Sequence, residues 1–147
     1  MSVRVVEVRP ELCYRDPVAA LGWLERAFGL KTEFVANDAE GRQVFARISG
    51  GIAIVGEVPA RRQSPASMAG ATSQVLMLTI EGDVDAHCRA ALAAGARIEE
   101  PLRKEFFGLT YTAADLEGHL WSFLQRASGP TELPEGLSVR FTGEENR

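Results

Sequence analysis

The sequence predicts an α+β fold made of two β-α-β-β-β modules, a curved mixed sheet around a cleft with the helices on its outer face. Three observations predict it. Strand, helix and three further strands follow one another in the same order in each half of the chain. Asp16 stands as far before Gly51 as Asp83 stands before Gly118. The glycines that end the two helices, Gly29 and Gly95, fall within one residue of the same distance from those aspartates. Element order repeated at constant spacing is a fold-level signal even where side-chain identity is weak.

The first module covers about residues 3–58. Residues 3–14 (VRVVEVRPELCY) alternate as a strand, with Pro10 marking an edge or a bulge. Asp16-Pro17 opens a helix, because a carboxylate accepts from orphan amides and proline is pre-set for the first helical position. Ala20, Leu21, Leu24, Ala27 and Phe28 recur at helical spacing up to the Gly29 cap. Three strands follow, over 31–36, 43–48 and 52–58, separated by the polar turn Asn37–Gly41 and by Gly50-Gly51.

Residues 59–73 (PARRQSPASMAGATS) are small, polar and without periodicity, and read as a mobile connection. The second module covers about 74–126. It has a strand over 75–80, then a helix capped by Asp83 whose Val84, Cys88, Ala91 and Leu92 form one face. Residues 97–99 lead to Pro101, and 110–113 with 120–124 form a closing hairpin around the turn Asp115–Gly118. Residues 1–128 are thus one domain, followed by an extension over 129–147. Within the extension 137–141 alternate like one more strand, and 143–147 are expected to be disordered.

The length of 147 residues suits one globular unit, and 46% hydrophobic content supplies a core. A net charge of -4 and the absence of a basic run exclude a global attraction to nucleic acid or anionic membrane. Arg61-Arg62 is an isolated basic pair in a loop. No stretch has the length of a membrane span or the pattern of a signal peptide, so the expected location is the cytoplasm. Cys13 and Cys88 have no metal-like or redox-like spacing and are expected to be buried as small apolar side chains.

The phrases YRDPVAALGWLERAFGL, GDVDAHCRAALAAGA and DLEGHLWSF occur in an order and separation that resembles the glyoxalase/bleomycin-resistance/dioxygenase proteins, the vicinal-oxygen-chelate superfamily. The resemblance spans about residues 5–126. It implies the paired-module fold and a two-fold dimer, but not an activity. The fold serves isomerases, ring-cleaving dioxygenases, epimerases, transferases and non-catalytic drug binders. Metal-dependent members place His, Glu or Gln at four cleft positions. The resemblance puts Arg9, Val55, Gln74 or Val75, and Ser122 there. A permanent cation, an aliphatic side chain and a hydroxyl do not make a divalent-metal site. No metal, cofactor or catalytic residue is therefore expected.

Strand alternation supplies the rest of the candidate cleft. Arg9 brings Glu11 and Cys13 with it, unless Pro10 breaks the alternation and sends both charges into solvent. Ser122 brings Leu120 and turns Trp121 and Phe123 toward the helices. Thr110, Thr112 and Met77 face inward, and the resemblance gives the position of Thr112 a part in holding ligand. The candidate ligand-binding set is thus Arg9, Glu11, Cys13, Val55, Gln74, Met77, Thr110, Thr112, Leu120 and Ser122. Trp23 and Trp121 read as core, with a stacking platform as the alternative. His87 reads as a partly exposed helix residue, and His119 as pointing away from the cleft. The implied function is metal-independent binding of a small molecule by a homodimer, with sequestration of an antibiotic or metabolite as its use. The alternatives are a lyase, isomerase or dioxygenase with an atypical metal site or with Glu11 as base, and a regulatory subunit without a ligand.

Overall fold

The computed structural model describes residues 2–143. Its elements are β1 (Glu11–Tyr14), α1 (Pro17–Phe28), β2 (Thr32–Asn37), β3 (Gln43–Ile48), β4 (Ile52–Gly56), β5 (Val75–Thr79), α2 (Val84–Ala93), β6 (Arg97–Glu105), β7 (Gly108–Ala114) and β8 (Leu120–Arg126). They form two four-stranded mixed sheets, ordered β1-β4-β3-β2 and β5-β8-β7-β6. The first strand of each module runs parallel to the last, and the other pairings are antiparallel. These are the two β-α-β-β-β modules expected from the repeat.

Both helices begin where the sequence places them. The Asp16 carboxylate accepts from the Ala19 amide, and that of Asp83 from the amides of Asp85 and Ala86. Gly29 ends α1 with φ of 72°, a conformation that costs glycine nothing. The two helices pack on each other as well as on their sheets, so the modules share one core. Phe28 at the end of α1 meets Trp121 and Phe123 of β8 at ring distances of 5.6 and 4.8 Å. Trp23 belongs to this core, and its Nε1 donates to the Ala94 carbonyl after α2. His87 is half-buried between the modules, with Nδ1 2.6 Å from the Tyr111 hydroxyl and Nε2 2.9 Å from the Phe28 carbonyl.

The turn before β8 is the tightest joint between the modules. Asp115 is buried, and its Oδ2 accepts from the Tyr14 hydroxyl at 2.5 Å and from Trp121 Nε1 at 3.0 Å. Its Oδ1 accepts from the amides of Glu117 and His119. The Glu117 carboxylate in turn accepts from the amides of Arg15 and Asp16. Gly118 closes the turn at φ of 96°, and a Cβ there would stand 3.1 Å from Pro65.

Four regions depart from the sequence expectation. β1 starts at Glu11: Pro10 has no amide to donate, and only its carbonyl bonds to β4, accepting from the Ala53 amide. Residues before it form an irregular arm whose Val3, Val5, Val6 and Val8 are exposed. β6 continues through Pro101, which an edge strand tolerates, and its register shifts on both sides of Glu100. Residues 59–73 are largely exposed but anchored at one point: Ser64 and Pro65 are buried, a short 3-10 turn covers Pro65–Ser67, and the Glu57 carboxylate holds the Ser64 amide. Residues 137–141 form no strand, and Leu137, Val139 and Phe141 are exposed. Of the expected disordered end, residues 144–147 lie outside the described residues.

Two stability predictions follow from this core. Gly118→Ala combines a positive φ with a contact against Pro65 and should lower the unfolding free energy by about 1–3 kcal/mol in denaturant titration. Burial pushes the phenols of Tyr14 and Tyr111 up, and the Asp115 carboxylate adds to the effect at Tyr14. Each phenol therefore stays protonated in the folded state while the unfolded chain ionises. Their contribution is whole below the ordinary tyrosine value of about 10 and is lost as pH rises above it, at up to about 1.4 kcal/mol per pH unit for each tyrosine. Unfolding titrations across the alkaline range should show that slope reduced in Tyr14→Phe.

Candidate functional site

Each sheet turns one face to the helices and leaves the other without them. In the first sheet Leu12, Ala46, Ile48 and Ile54 join the core, so alternation puts Glu11, Cys13, Phe45, Arg47, Ala53 and Val55 on the open face. In the second, Tyr111, Ala113, Trp121 and Phe123 join the core. Val75, Met77, Thr110, Thr112, Leu120 and Ser122 take the open face there. Met77, Ser122 and Thr112 stand side by side across three strands.

The open face of the second sheet is floored by hydroxyls. Thr112 Oγ1 and Ser122 Oγ are 2.6 Å apart and both residues are buried. Thr110 lies along the same strand, fully buried, and its Oγ1 has no hydrogen-bond partner. Met77 and Val75 beside them are 54% and 48% exposed, so the β5 side of this face is open while its hydroxyl floor is covered.

Arg9 is not on either face. It lies in the exposed arm before Pro10 and donates to Glu7 Oε1 at 2.6 Å. The proline ended the alternation for Arg9 but not for Glu11, whose carboxylate receives Arg62 Nη1 at 2.5 Å. Arg62, expected to be a bystander in the connecting loop, thereby ties that loop to β1. With one oxygen engaged by a guanidinium, Glu11 is poorly placed to take a proton from substrate. Gln74 precedes β5, outside the strand, and its backbone bonds the Thr72 hydroxyl. Its place is at the seam between modules, where it borders a cavity of about 420 Å³ with Glu11, Cys13, Arg62 and His119. His119 does not point away, as the sequence suggested: its Nε2 lies 2.7 Å from the Cys13 carbonyl and its ring tilts onto Tyr14. Wider hollows of about 780 and 710 Å³ flank Leu109, Gln125 and Arg126. They contain none of the candidate residues.

The donor set does not fit a divalent cation. Of the four positions compared with metal ligands, Arg9 is off the strands, Val55 is aliphatic, the third falls on aliphatic Val75 or on Gln74 just before β5, a single amide, and the Ser122 hydroxyl is engaged by Thr112. Among the described residues no three His, Cys, Asp or Glu side chains gather where they could hold a metal ion. Neither cysteine is a nucleophile in waiting. Burial pushes both thiols up, which keeps them protonated near neutrality.

The aromatic side chains of the first open face escaped the sequence reading. Phe34 of β2 and Phe45 of β3 stack 5.7 Å apart, and the Arg47 guanidinium lies 4.8 Å from the Phe34 ring centre. Alternation along 43–48 was enough to place Phe45 and Arg47 together; the pairing of Phe34 with Arg47 depends on a register shift in β2 that no local signal announces.

Residues 5–123 match the family model described as Glyoxalase/Bleomycin resistance protein/Dioxygenase superfamily. Among solved structures, TioX from Micromonospora sp. ML1 is 32% identical, with a TM-score of 0.65 over 84% of this chain and 100% of that one. TnmS3, an antibiotic binding protein from Streptomyces sp. CB03234, has a TM-score of 0.62 at 16% identity over 86% of this chain and 99% of its own. FosX, a genomically encoded fosfomycin resistance protein from Listeria monocytogenes complexed with Mn(II), has a TM-score of 0.59 at 16% identity over 85% and 96%. The last two likenesses speak for the fold. No curated protein matches significantly. No helix among the described residues is long and apolar enough to cross a membrane.

The hydroxyl pair gives a test of the floor itself. Thr112→Val leaves the Ser122 hydroxyl buried without its partner and should cost about 1–3 kcal/mol in unfolding free energy. Adding Ser122→Ala should recover part of that loss, because an apolar pair leaves nothing unsatisfied.

Proposed function

The chain belongs to the Glyoxalase/Bleomycin resistance protein/Dioxygenase superfamily, and from that membership we propose that it is a metal-independent small-molecule-binding protein, working as a homodimer in the cytoplasm to sequester an antibiotic or metabolite. One observation carries the reading. At the strand positions where a metal-binding member needs imidazole or carboxylate donors, this chain has valines and a serine whose hydroxyl is already bonded to Thr112.

What remains on those faces suits a ligand. Apolar side chains with a few fixed polar groups are the usual lining of a small-molecule site. Structures of this fold include the Mn(II)-bound FosX and the antibiotic-binding TnmS3, and the side chains present here support the second kind of use. A second copy is favoured because Val75, Met77 and Phe34 stand 48%, 54% and 42% exposed on sheet faces that carry no helix. Two free cysteines suit a reducing compartment.

Thermal-shift screening of the dimer against glycopeptide-like drugs, aromatic metabolites and oxo-acids tests the proposal. A true ligand at about 100 times its Kd should stabilise the protein by about 2.7 kcal/mol, while Mn, Zn, Ni or Fe salts leave the melting curve in place. Stoichiometric metal in protein purified without chelator, or stabilisation by a divalent ion and by no organic compound, would overturn it.

A further inference from the structure

A stretch with the pattern of a strand and a strand edge without a neighbour occur in the same chain. In the extension after β8, Leu137, Val139 and Phe141 alternate with Ser138 and Arg140, so extended backbone gathers the three apolar side chains on one side. They belong to no strand and are 46%, 57% and 76% exposed. The extension lies outside residues 5–123 of the family match, so the shared domain does not account for it.

The outer strands of the two sheets are β1, β2, β5 and β6. Prolines, bulges and charges are what keep native edges from pairing with other chains. β6 carries Pro101, two register shifts and six charged residues. β2 has register shifts on both sides of the run Phe34–Ala36. β1 is four residues long, and its Cys13 carbonyl is already met by His119 Nε2. β5 has none of these devices. Its five residues are uncharged, and its ladder with β8 runs unbroken from Val75 to Thr79. The Ile80 amide donates to the Leu124 carbonyl on the β8 side. Alternation therefore turns the main-chain groups of Val75, Met77 and Thr79 outward, where no strand lies among the described residues.

We propose that residues 137–141 of one copy add as a strand to the β5 edge of a second copy, reciprocally, in a two-fold dimer. The inference rests on the homodimer reading and names the surface through which the copies meet. Antiparallel addition over the matching length sets Val139 opposite Met77, Phe141 opposite Val75 and Leu137 opposite Thr79, which brings the exposed apolar side chains of both segments together. Main-chain bonds supply the affinity of such an addition, and the alternation of side chains fixes its register. The two-fold operation fills both edges with one interaction made twice. Residues 128–136 between β8 and the added strand span up to about 30 Å when extended, enough to pass from one copy to the other.

Residue-resolved amide exchange on the full chain, read beside mass by light scattering over a dilution series, tests the exchange. In the dimer the amides of Val139, Phe141, Val75, Met77 and Thr79 should exchange at least about tenfold more slowly than in the diluted monomer. The amides of Ser138 and Arg140, turned away from β5, should not slow. Val139→Pro removes one amide from a segment that is exposed in the single chain. It should leave monomer unfolding unchanged and raise the dimer Kd about tenfold. Thr79→Pro removes an outward amide of the receiving edge, costs no bond to β8 and should weaken the dimer to a similar degree. A dimer whose Val139 and Phe141 amides exchange freely, or whose Kd ignores Val139→Pro, would overturn the strand addition and leave the homodimer standing. Protection of those amides that survives dilution to monomer means that the segment closes on its own β5, and the proposal is wrong. If no dimer forms and no protection is seen, the homodimer reading and the strand addition fall together.

Discussion

A carboxylate buried beneath a phenol and an indole holds this protein's two halves in register. Asp115 collects Tyr14 from the end of β1, Trp121 from β8 and two amides of its own turn. A buried carboxylate is tolerable only when its lone pairs are met, so the donors cannot drift without exposing a costly charge. Tyr14 is the residue that ends the first module's opening strand, and Trp121 is the second residue of the last strand. The bonds to Asp115 therefore decide how Cys13 sits relative to His119, and hence the shape of the seam between the modules.

The division of labour between sheet faces follows from where the large side chains went. Trp121, Phe123, Tyr111 and Phe28 fill the shared core around the helices. The opposite face of the second sheet is left with the hydroxyls of Thr110, Thr112 and Ser122 among Val75, Met77 and Leu120, which present no strong donor set. The first sheet solved the same problem differently. Its open face carries two phenylalanines and an arginine, and so offers shape and charge where the other offers a smooth floor. A single chain thereby carries two unlike surfaces on equivalent modules, and a ligand touching both would meet an aromatic wall and a hydroxyl wall.

Much of this was legible in the residues. Asp16-Pro17, Asp83, Gly29 and Gly118 are local signals with local mechanisms, and each acts where the pattern places it. Alternation put Cys13, Val55, Thr110, Thr112, Met77, Leu120 and Ser122 on open faces. Those are statements about the period of a strand, which one residue's neighbours suffice to establish. The failures have a common physical source. Arg9 depended on whether pairing survives Pro10, His119 on which side of a turn meets β1, and Phe34 on a shift of register within β2. Each is decided by a strand or loop distant in sequence. Within the connecting segment 59–73 the polar composition likewise gave no sign that Ser64 and Pro65 would be buried beside the Gly118 turn and the Glu57 carboxylate.

The bonded hydroxyls of Thr112 and Ser122 also bear on the evolvability of the fold. Each satisfies the other, so the surface is chemically quiet and closed to gradual change. Placing a glutamate at Ser122 alone would bury a lone charge beside an orphaned threonine, with Met77 across on β5 unable to share it. Metal chemistry would become accessible only after several strands changed together, whereas the aromatic face can vary one side chain at a time.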